Sequence, residues 1–375
     1  MGFTVTRPEI ASGDRVVVKV GTASLVGSTG EPESERLESL CSGIEQLRRQ
    51  SGAAVVLVSS GAIAAGMSPL GLTARPSDIP SLQAAAAVGQ GRLLARYARL
   101  LDDRDIVTAQ VLLTRFDFMH RQQYLNARNT LDRLLSLGAV PIVNENDTVA
   151  VDEIRFGDND LLAALVANLT RAKLLVLLTD ARGVHEADPR RNRDAAILDE
   201  VERITPELEK AAGGRGSDLA SGGMASKLAA AWVATFSGVG VVVAHASESD
   251  GLARIAGGER VGTYFHPRRE RASARRLWIA FGQPPKGTVF VDEGARRAVI
   301  EGKRSLLPVG VVGVSGRFSA SDTVDVAEHA GQVFARGLVR YSSDELVAAR
   351  GRPTAELAGR EVIHRDQLVI LEDSS

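Results

Sequence analysis

Cysteine is nearly missing from this sequence: Cys41 stands alone among 375 residues. A lone thiol excludes an intrachain disulfide and any multi-cysteine metal site, and its place in a helix-like stretch reads as a small buried side chain in a reducing compartment. An excess of charge of one sign is also absent. Lys plus Arg number 45 against 46 for Asp plus Glu, a formal net charge of −1, so no general field draws the chain to nucleic acid or to an acidic membrane. Any anion must be held by local geometry. No apolar run is long enough to span a bilayer, because the longest uncharged stretch, 50–74, is broken by Ser59, Ser60, Gly61, Gly66 and Pro69. Arg7, Glu9, Asp14, Arg15 and Lys19 interrupt the start and leave no apolar segment for a signal peptide, so a soluble, cytoplasmic protein is expected. There is no G-x-x-x-x-G-K-[ST] string, no G-x-G-x-x-G and no G-x-S-x-G, which removes the P-loop, the dinucleotide fingerprint and the hydrolase elbow. The histidines His120, His185, His245, His266, His329 and His364 stand apart, without metal-ligand spacing.

What is present is ordinary globular material, 44% hydrophobic and 24% charged, in a length that suggests two domains at about 150 residues each. From residue 16 onward, short Val/Leu/Ile runs alternate with helical periodicity, the pattern of parallel strands joined by crossover helices. Strands are expected near Val16–Val20, Ala53–Val58, Ile106–Leu112, Val140–Val143, Leu174–Leu178 and Val239–Ala244. Helices are expected over Glu33–Arg49, Leu82–Leu101, Gln122–Ser136, Asp160–Leu169 and Met224–Ser237. The rhythm changes near residue 266, where Arg268, Arg269, Arg271, Arg275 and Arg276 face Glu270 alone in a linker or connecting helix. Beyond Gln283, apolar pieces separated by Gly, Ser and Asp read as a small, mostly β domain. The expected division is therefore 1–266, a linker over 267–282, and 283–375.

Four strand ends carry the candidate chemistry, since ligands of open α/β sheets sit beyond the carboxyl ends of strands, near unpaired helix N–H groups. In Val16-Val17-Val18-Lys19-Val20-Gly21-Thr22, a lysine inside an apolar strand either meets an anion or reaches water, because burying it alone costs several kcal/mol. In Ser59-Ser60-Gly61-Ala62-Ile63-Ala64-Ala65-Gly66, the small side chains admit either a ligand at the backbone or a closely packed helix. The third is Asn144-Glu145-Asn146-Asp147, followed by Gly157-Asp158-Asn159-Asp160 before an apolar helix. Capping accounts for Asp158 or Asn159 but not for the whole cluster. The fourth joins Thr179-Asp180 to the loop Ser221-Gly222-Gly223-Met224-Ala225-Ser226-Lys227, whose glycines and helix start suit phosphates. A lysine on a first helical turn opposes the helix dipole, which makes Lys227 more informative than a lysine elsewhere.

In this order, these strings together with Leu125-Asn126-Ala127-Arg128 and Ala187-Asp188-Pro189 resemble the glutamate 5-kinases, a branch of the amino acid kinase family, over nearly the whole chain. The tail, with Val291-Asp292-Glu293-Gly294-Ala295 and Leu306-Leu307-Pro308-Val309-Gly310, resembles the PUA domain many of them carry. The resemblance implies an α/β, amino-acid-kinase-like three-layer sandwich with a mainly parallel central sheet, plus a small PUA-like domain. It implies ATP-dependent phosphorylation of the L-glutamate γ-carboxylate, with Mg²⁺, at the start of proline biosynthesis. Lys19 and Lys227 would flank the phosphoryl group with Asp160 holding them. Thr179, Asp180 and the loop Ser221, Gly222, Gly223, Met224, Ala225, Ser226 and Lys227 would contact ATP. Ser60, Asp147 and Asn159 would bind glutamate. Family members read Gly-Thr-Gly-Gly-Met where this chain has Ala220-Ser221-Gly222-Gly223-Met224, which keeps the hydroxyl and the glycine pair. A homo-oligomer and a transient partnership with glutamate-5-semialdehyde dehydrogenase follow from the same resemblance. The alternative is an RNA-binding or regulatory protein acting through the tail, which its balance of 12 basic and 13 acidic residues over 283–375 disfavours.

Overall fold

The computed structural model of the chain describes residues 7–27, 32–149, 159–188, 192, 194–212, 223–248, 250–268, 274–277, 279–280, 285–357 and 359–371. It divides into two compact units, Met1–Arg271 and Ala272–Ser375. In the first unit the strands are β1 (Arg15–Val20), β2 (Ala54–Ser59), β3 (Thr108–Leu113), β4 (Val140–Glu145), β5 (Leu174–Thr179), β6 (Glu200–Val201), β7 (Gly240–His245) and β8 (Thr263–Phe265). They form one sheet in the order β3-β4-β2-β1-β5-β7-β8-β6, parallel throughout except where β8 runs antiparallel to β7. The six longer strands fall within two residues of the apolar runs that announce them. The short β6 and β8 have no run long enough to stand out.

Its main helices are α1 (Ser34–Ser51), α2 (Ala62–Met67), α3 (Ile79–Asp102), α4 (Arg121–Ser136), α5 (Asn159–Leu169), α6 (Met224–Phe236) and α7 (Gly251–Ala256). Because strand side chains alternate between faces, β1 offers Val16, Val18 and Val20 to one core and Val17 and Lys19 to the other. The first core joins Val16, Val18 and Val20 to Leu37 and Ile44 of α1, Leu93 and Tyr97 of α3, and Leu252 and Ile255 of α7. Cys41 lies buried there, and burial pushes its thiol up to about 12, so it is a packing group. On the opposite face α5 and α6 pack together and against the sheet through small residues, including Ala163, Ala164 and Ala167 on α5 and Ala230, Ala231 and Ala234 on α6. The result is helices, sheet, helices. β1 and β2 are neighbours, while β5 flanks β1 on its other side, so the chain reverses its direction of travel across the sheet at β1. That reversal opens a crevice at the carboxyl ends of these strands.

The second unit holds a five-stranded sheet of β9 (Gly287–Val291), β10 (Val311–Gly316), β11 (Thr323–Glu328), β12 (Val333–Leu338) and β13 (Leu368–Ile370) in the order β10-β9-β11-β12-β13. Its pairs are antiparallel apart from β9 with β11. Two capped helices, α8 (Glu293–Ile300) and α9 (Ser343–Ala349), flank a core that includes Val289, Val324, Phe334, Leu346 and Ile363. Among the described residues, no helix is long and apolar enough to cross a membrane.

The small-residue stretch after β2 serves helix packing at its far end. A Cβ on Gly66 would lie 1.8 Å from the Ala85 carbonyl oxygen, and one on Gly89 would lie 1.7 Å from that of Ala62. The backbones of α2 and α3 therefore meet with no room for a side chain. At the near end, Gly61 adopts φ +97°, a turn that glycine makes without strain before α2 begins. Gly66→Ala is expected to lower the unfolding free energy of this unit by about 3 kcal/mol, as backbone overpacking does, read as a reduced midpoint in urea at unchanged slope.

Candidate active site

Strand alternation turns Lys19 toward the α5–α6 layer, where the first turns of both helices deliver one charged group each. The Lys19 ammonium stands 2.5 Å from Oδ1 of Asp160 on α5, and the Lys227 ammonium on α6 stands 3.3 Å from Oδ2. Ser226, next to Lys227, donates its hydroxyl to the same Oδ2 at 2.7 Å. All four side chains are buried, Asp160 to the point of 1% exposure and both lysines to 4%. Gly21 leaves space for this arrangement, since a Cβ there would come within 3.3 Å of the Lys19 Nζ.

Three charges in so dry a place carry a desolvation cost of several kcal/mol each, offset only if each finds an opposite charge and hydrogen bonds. Burial alone would push the Asp160 carboxyl up. The charges of Lys19 and Lys227, with hydrogen bonds from Lys19 and Ser226, outweigh burial and hold it below its ordinary value of 3.8. Asp160 is thus a fixed anion between two fixed cations, and the cluster keeps one net positive charge aimed at the crevice. The macrodipoles sort the same way: the N-terminus of α5 favours Asp160, and Asp160 offsets the penalty of Lys227 at the N-terminus of α6.

Beside this charged cluster lies a neutral one. The Asn159 amide nitrogen donates to the Ser59 carbonyl at 2.8 Å, to Ser60 Oγ at 2.9 Å and to Asn144 Oδ1 at 2.8 Å. It ties the ends of β2 and β4 to the start of α5. Thr179 closes β5, buried, with its hydroxyl donating to the exposed Asp180 carboxylate at 2.9 Å. Asp147, half-buried two residues past β4, is pushed up to about 6 by desolvation, which the charge of Arg75 only partly counters. Such a carboxylate is short of a cation.

The sequence-derived set therefore separates into groups. Lys19, Asp160, Lys227 and Ser226 converge, Ser60 joins Asn159, and Thr179 joins Asp180. Asp147 has no hydrogen bond to the others among the described residues. Gly223 is the extended residue before α6, and Met224 and Ala225 form its first turn. Ser221 and Gly222, like Gly157 and Asp158, lie outside the described residues. The Ser226 hydroxyl lies within hydrogen-bond distance of Asp160 Oδ2, at 2.7 Å, and of the Gly223 carbonyl, at 2.8 Å. Sequence reasoning gave no role to Ser59, which opens the string 59–66, and did not single out Gln90 or Tyr97; their hydrogen bonds support the neutral cluster from β2 and α3. Only Asn144 lay inside a string already conspicuous for its amides.

Among the described residues, no three His, Cys, Asp or Glu side chains gather as a metal cage. Both oxygens of Asp160 face cations or donors as well. The donor set suits anions more than a protein-held metal.

Comparison with known proteins gives a consistent result. Residues 14–245 match the model of the amino acid kinase family and residues 287–359 that of the PUA domain. The chain is 47% identical to the glutamate 5-kinase of Thermobifida fusca (strain YX), covering 100% of this chain and 97% of that protein. It is 46% identical to the glutamate 5-kinase of Caldanaerobacter subterraneus subsp. tengcongensis, covering 96% and 98% respectively. The crystal structure of UMP kinase from Bacillus anthracis superposes with a TM-score of 0.47 at 18% identity, over 68% of this chain and 96% of that one.

Replacing Asp160 by Ala strands two buried ammonium groups without this carboxylate, and a loss of about 3–5 kcal/mol of stability is expected in chemical denaturation. Because the native carboxyl titrates below its unfolded value, its stabilisation is complete above the unfolded value. It fades as pH falls through the native one, so acid titration of the wild type should show a destabilising limb below about pH 4 that is shallower in Asp160→Ala, where other carboxyls held low, such as Asp14 and Asp322, still contribute.

Proposed function

The chain belongs to the amino acid kinase family, and from that membership and the buried Lys19–Asp160–Lys227 cluster we propose how it works. It transfers the γ-phosphoryl group of ATP to the side-chain carboxylate of L-glutamate, yielding L-glutamyl 5-phosphate and ADP at the head of a route to proline. The observation that carries the reading is the pair of ammonium groups clamped on one carboxylate at the crevice.

Glutamate's carboxylate, with a pKa of about 4.3, is already ionised at neutral pH, so the reaction needs no general base. The obstacle is repulsion between an anionic acceptor and a polyanionic donor, with charge spread over the equatorial oxygens of the phosphoryl group in flight. Lys19 and Lys227 flank that group and oppose its charge. Asp160 keeps them in position, so little reorganisation is left for the moment of reaction. One carboxylate oxygen of glutamate forms the new bond to the γ-phosphorus as the bond to the ADP oxygen breaks. Thr179 and Asp180 with the segment 221–227 take the nucleotide, and Ser60, Asp147 and Asn159 take glutamate. The half-buried Asp147, short of a counter-charge, suits the α-ammonium of a free amino acid and disfavours an N-acylated one. Mg²⁺ would accompany ATP, and when bound it would neutralise phosphate charge.

The second unit carries its cations largely in pairs, such as Arg296 with Glu328, Arg336 with Asp325 and Arg340 with Glu361, which supports the kinase reading over a nucleic-acid one. Exposed Val107 and Phe116, which flank the edge strand β3 in sequence, with exposed Val88 on α3 and Leu137 before β4, support a homo-oligomer. The acyl phosphate product is labile, which supports its transfer to glutamate-5-semialdehyde dehydrogenase in the cytoplasm.

With ATP, Mg²⁺ and hydroxylamine, glutamate should give the hydroxamate. Turnover with N-acetylglutamate, aspartate or carbamate in its place would overturn the substrate assignment. Lys227→Ala should fold and lose on the order of 100-fold in kcat, as removal of a preorganised charge stabiliser does. Since Asp147 must be ionised to meet an ammonium, kcat/KM for glutamate should fall as pH drops through about 6, and Asp147→Asn should flatten that limb.

A further inference from the structure

The neutral cluster continues beyond the groups assigned to glutamate, and its direction can be read. Asn144 Oδ1 accepts from the backbone N–H of Glu145 at 2.9 Å. A backbone N–H is a donor without ambiguity, so this contact fixes which end of the Asn144 amide is oxygen. Its nitrogen must then face Gln90 of α3, where it donates to Oε1 at 2.6 Å. At the other end, the Ser59 carbonyl is an acceptor without ambiguity, which turns the Asn159 nitrogen inward. With two hydrogens, that nitrogen already faces three acceptors: the Ser59 carbonyl, Ser60 Oγ and Asn144 Oδ1. Two consequences follow. Ser60 Oγ accepts from Asn159, leaving its own hydrogen free to be donated. Among the described residues no donor reaches Asn159 Oδ1, which leaves an acceptor at the start of α5.

We propose that Gln90 is a positioning residue for acceptor recognition: by accepting from Asn144 it holds that amide in the direction the Glu145 N–H sets, and so keeps Asn144 Oδ1 on the Asn159 nitrogen. Asn159 then presents an oxygen to the substrate ammonium while Ser60 presents a hydrogen to the substrate carboxylate. This rests on the glutamate kinase reading above and adds the polarity of its acceptor subsite. Gln90 sits half-buried on α3, on the opposite side of the sheet from α5, so the influence crosses the sheet along the carboxyl ends of β2 and β4. Tyr97, on the same helix, holds Ser59 Oγ at 2.9 Å. That bond also supports the cluster but sets no amide's direction.

The discriminating experiment measures kcat/KM for glutamate and for glutarate, which lacks the ammonium, in the full-length enzyme at saturating ATP. Gln90→Met removes the acceptor at similar length. It should raise KM for glutamate about tenfold, leave kcat and KM for ATP within about threefold, and cut the preference for glutamate over glutarate about tenfold, the scale of one unmatched buried polar group. Gln90→Glu keeps an acceptor and should restore both KM and preference to within about threefold. Tyr97→Phe should lower Tm yet leave the preference unchanged. A Gln90→Met enzyme with the wild-type preference, or Gln90→Glu behaving like Gln90→Met, would overturn the proposal, and Gln90→Ala provides the same comparison if the Met variant does not fold. A wild-type enzyme inactive on glutamate would instead overturn the parent reading, so the two failures are distinguishable.

Discussion

Everything in the first unit is arranged around one electrostatic problem, that of keeping two ammonium groups close together away from water before any phosphate arrives to justify them. Asp160 solves it. Its carboxylate pairs with both lysines and is held down in turn by their charges and by Ser226, so the charges are paired within the cluster, which still carries a net positive charge. The arrangement demands that three elements far apart in sequence reach one point. The end of β1 and the first turns of α5 and α6 do so because the alanine-rich faces of those two helices let their axes approach each other and the sheet. The charge constraint and the packing of this layer are therefore one design.

Much of this was legible in the residues before any coordinates. Lys19 within a run of valines had either to meet an anion or to reach water, and the structure shows the first, on the face away from Val18 and Val20. The apolar runs located the six long strands, because a strand covered on both faces is nearly continuous in Val, Leu and Ile. Less visible was anything that depends on pairing across distance. β6 and β8 are too short to announce themselves. Nothing in the string 60–66 distinguished a ligand-facing glycine from Gly66, whose lack of a side chain is required by Ala85, nineteen residues away. The same holds for function. Ser226 lies in the helix start that the sequence announces, yet only the structure turns its hydroxyl toward Asp160. Gln90 and Tyr97 sit in an unremarkable amphipathic helix where no spacing marks them.

The crevice is served by two chemically different supports. On the side proposed to hold the phosphoryl group the residues are ionic and buried, suited to opposing charge that grows during reaction. On the side proposed to hold the acceptor they are neutral amides and hydroxyls linked end to end, where direction matters more than strength. Dividing the work this way keeps further net charge away from the anionic acceptor and leaves Asp147 as the carboxylate expected to meet its ammonium.

Asn159 and Asp160 are consecutive residues, and this adjacency works as a ruler. Their α-carbons are about 3.8 Å apart across one peptide unit, and helical geometry splays their side chains by about 100°. The amide proposed to face the amino acid and the anchor for the lysines can therefore neither drift apart nor close up while α5 remains a helix. A chain that came to prefer an acceptor one carbon longer or shorter would have to absorb the difference on the far wall of the crevice, since the helix bearing both marks cannot be regraduated.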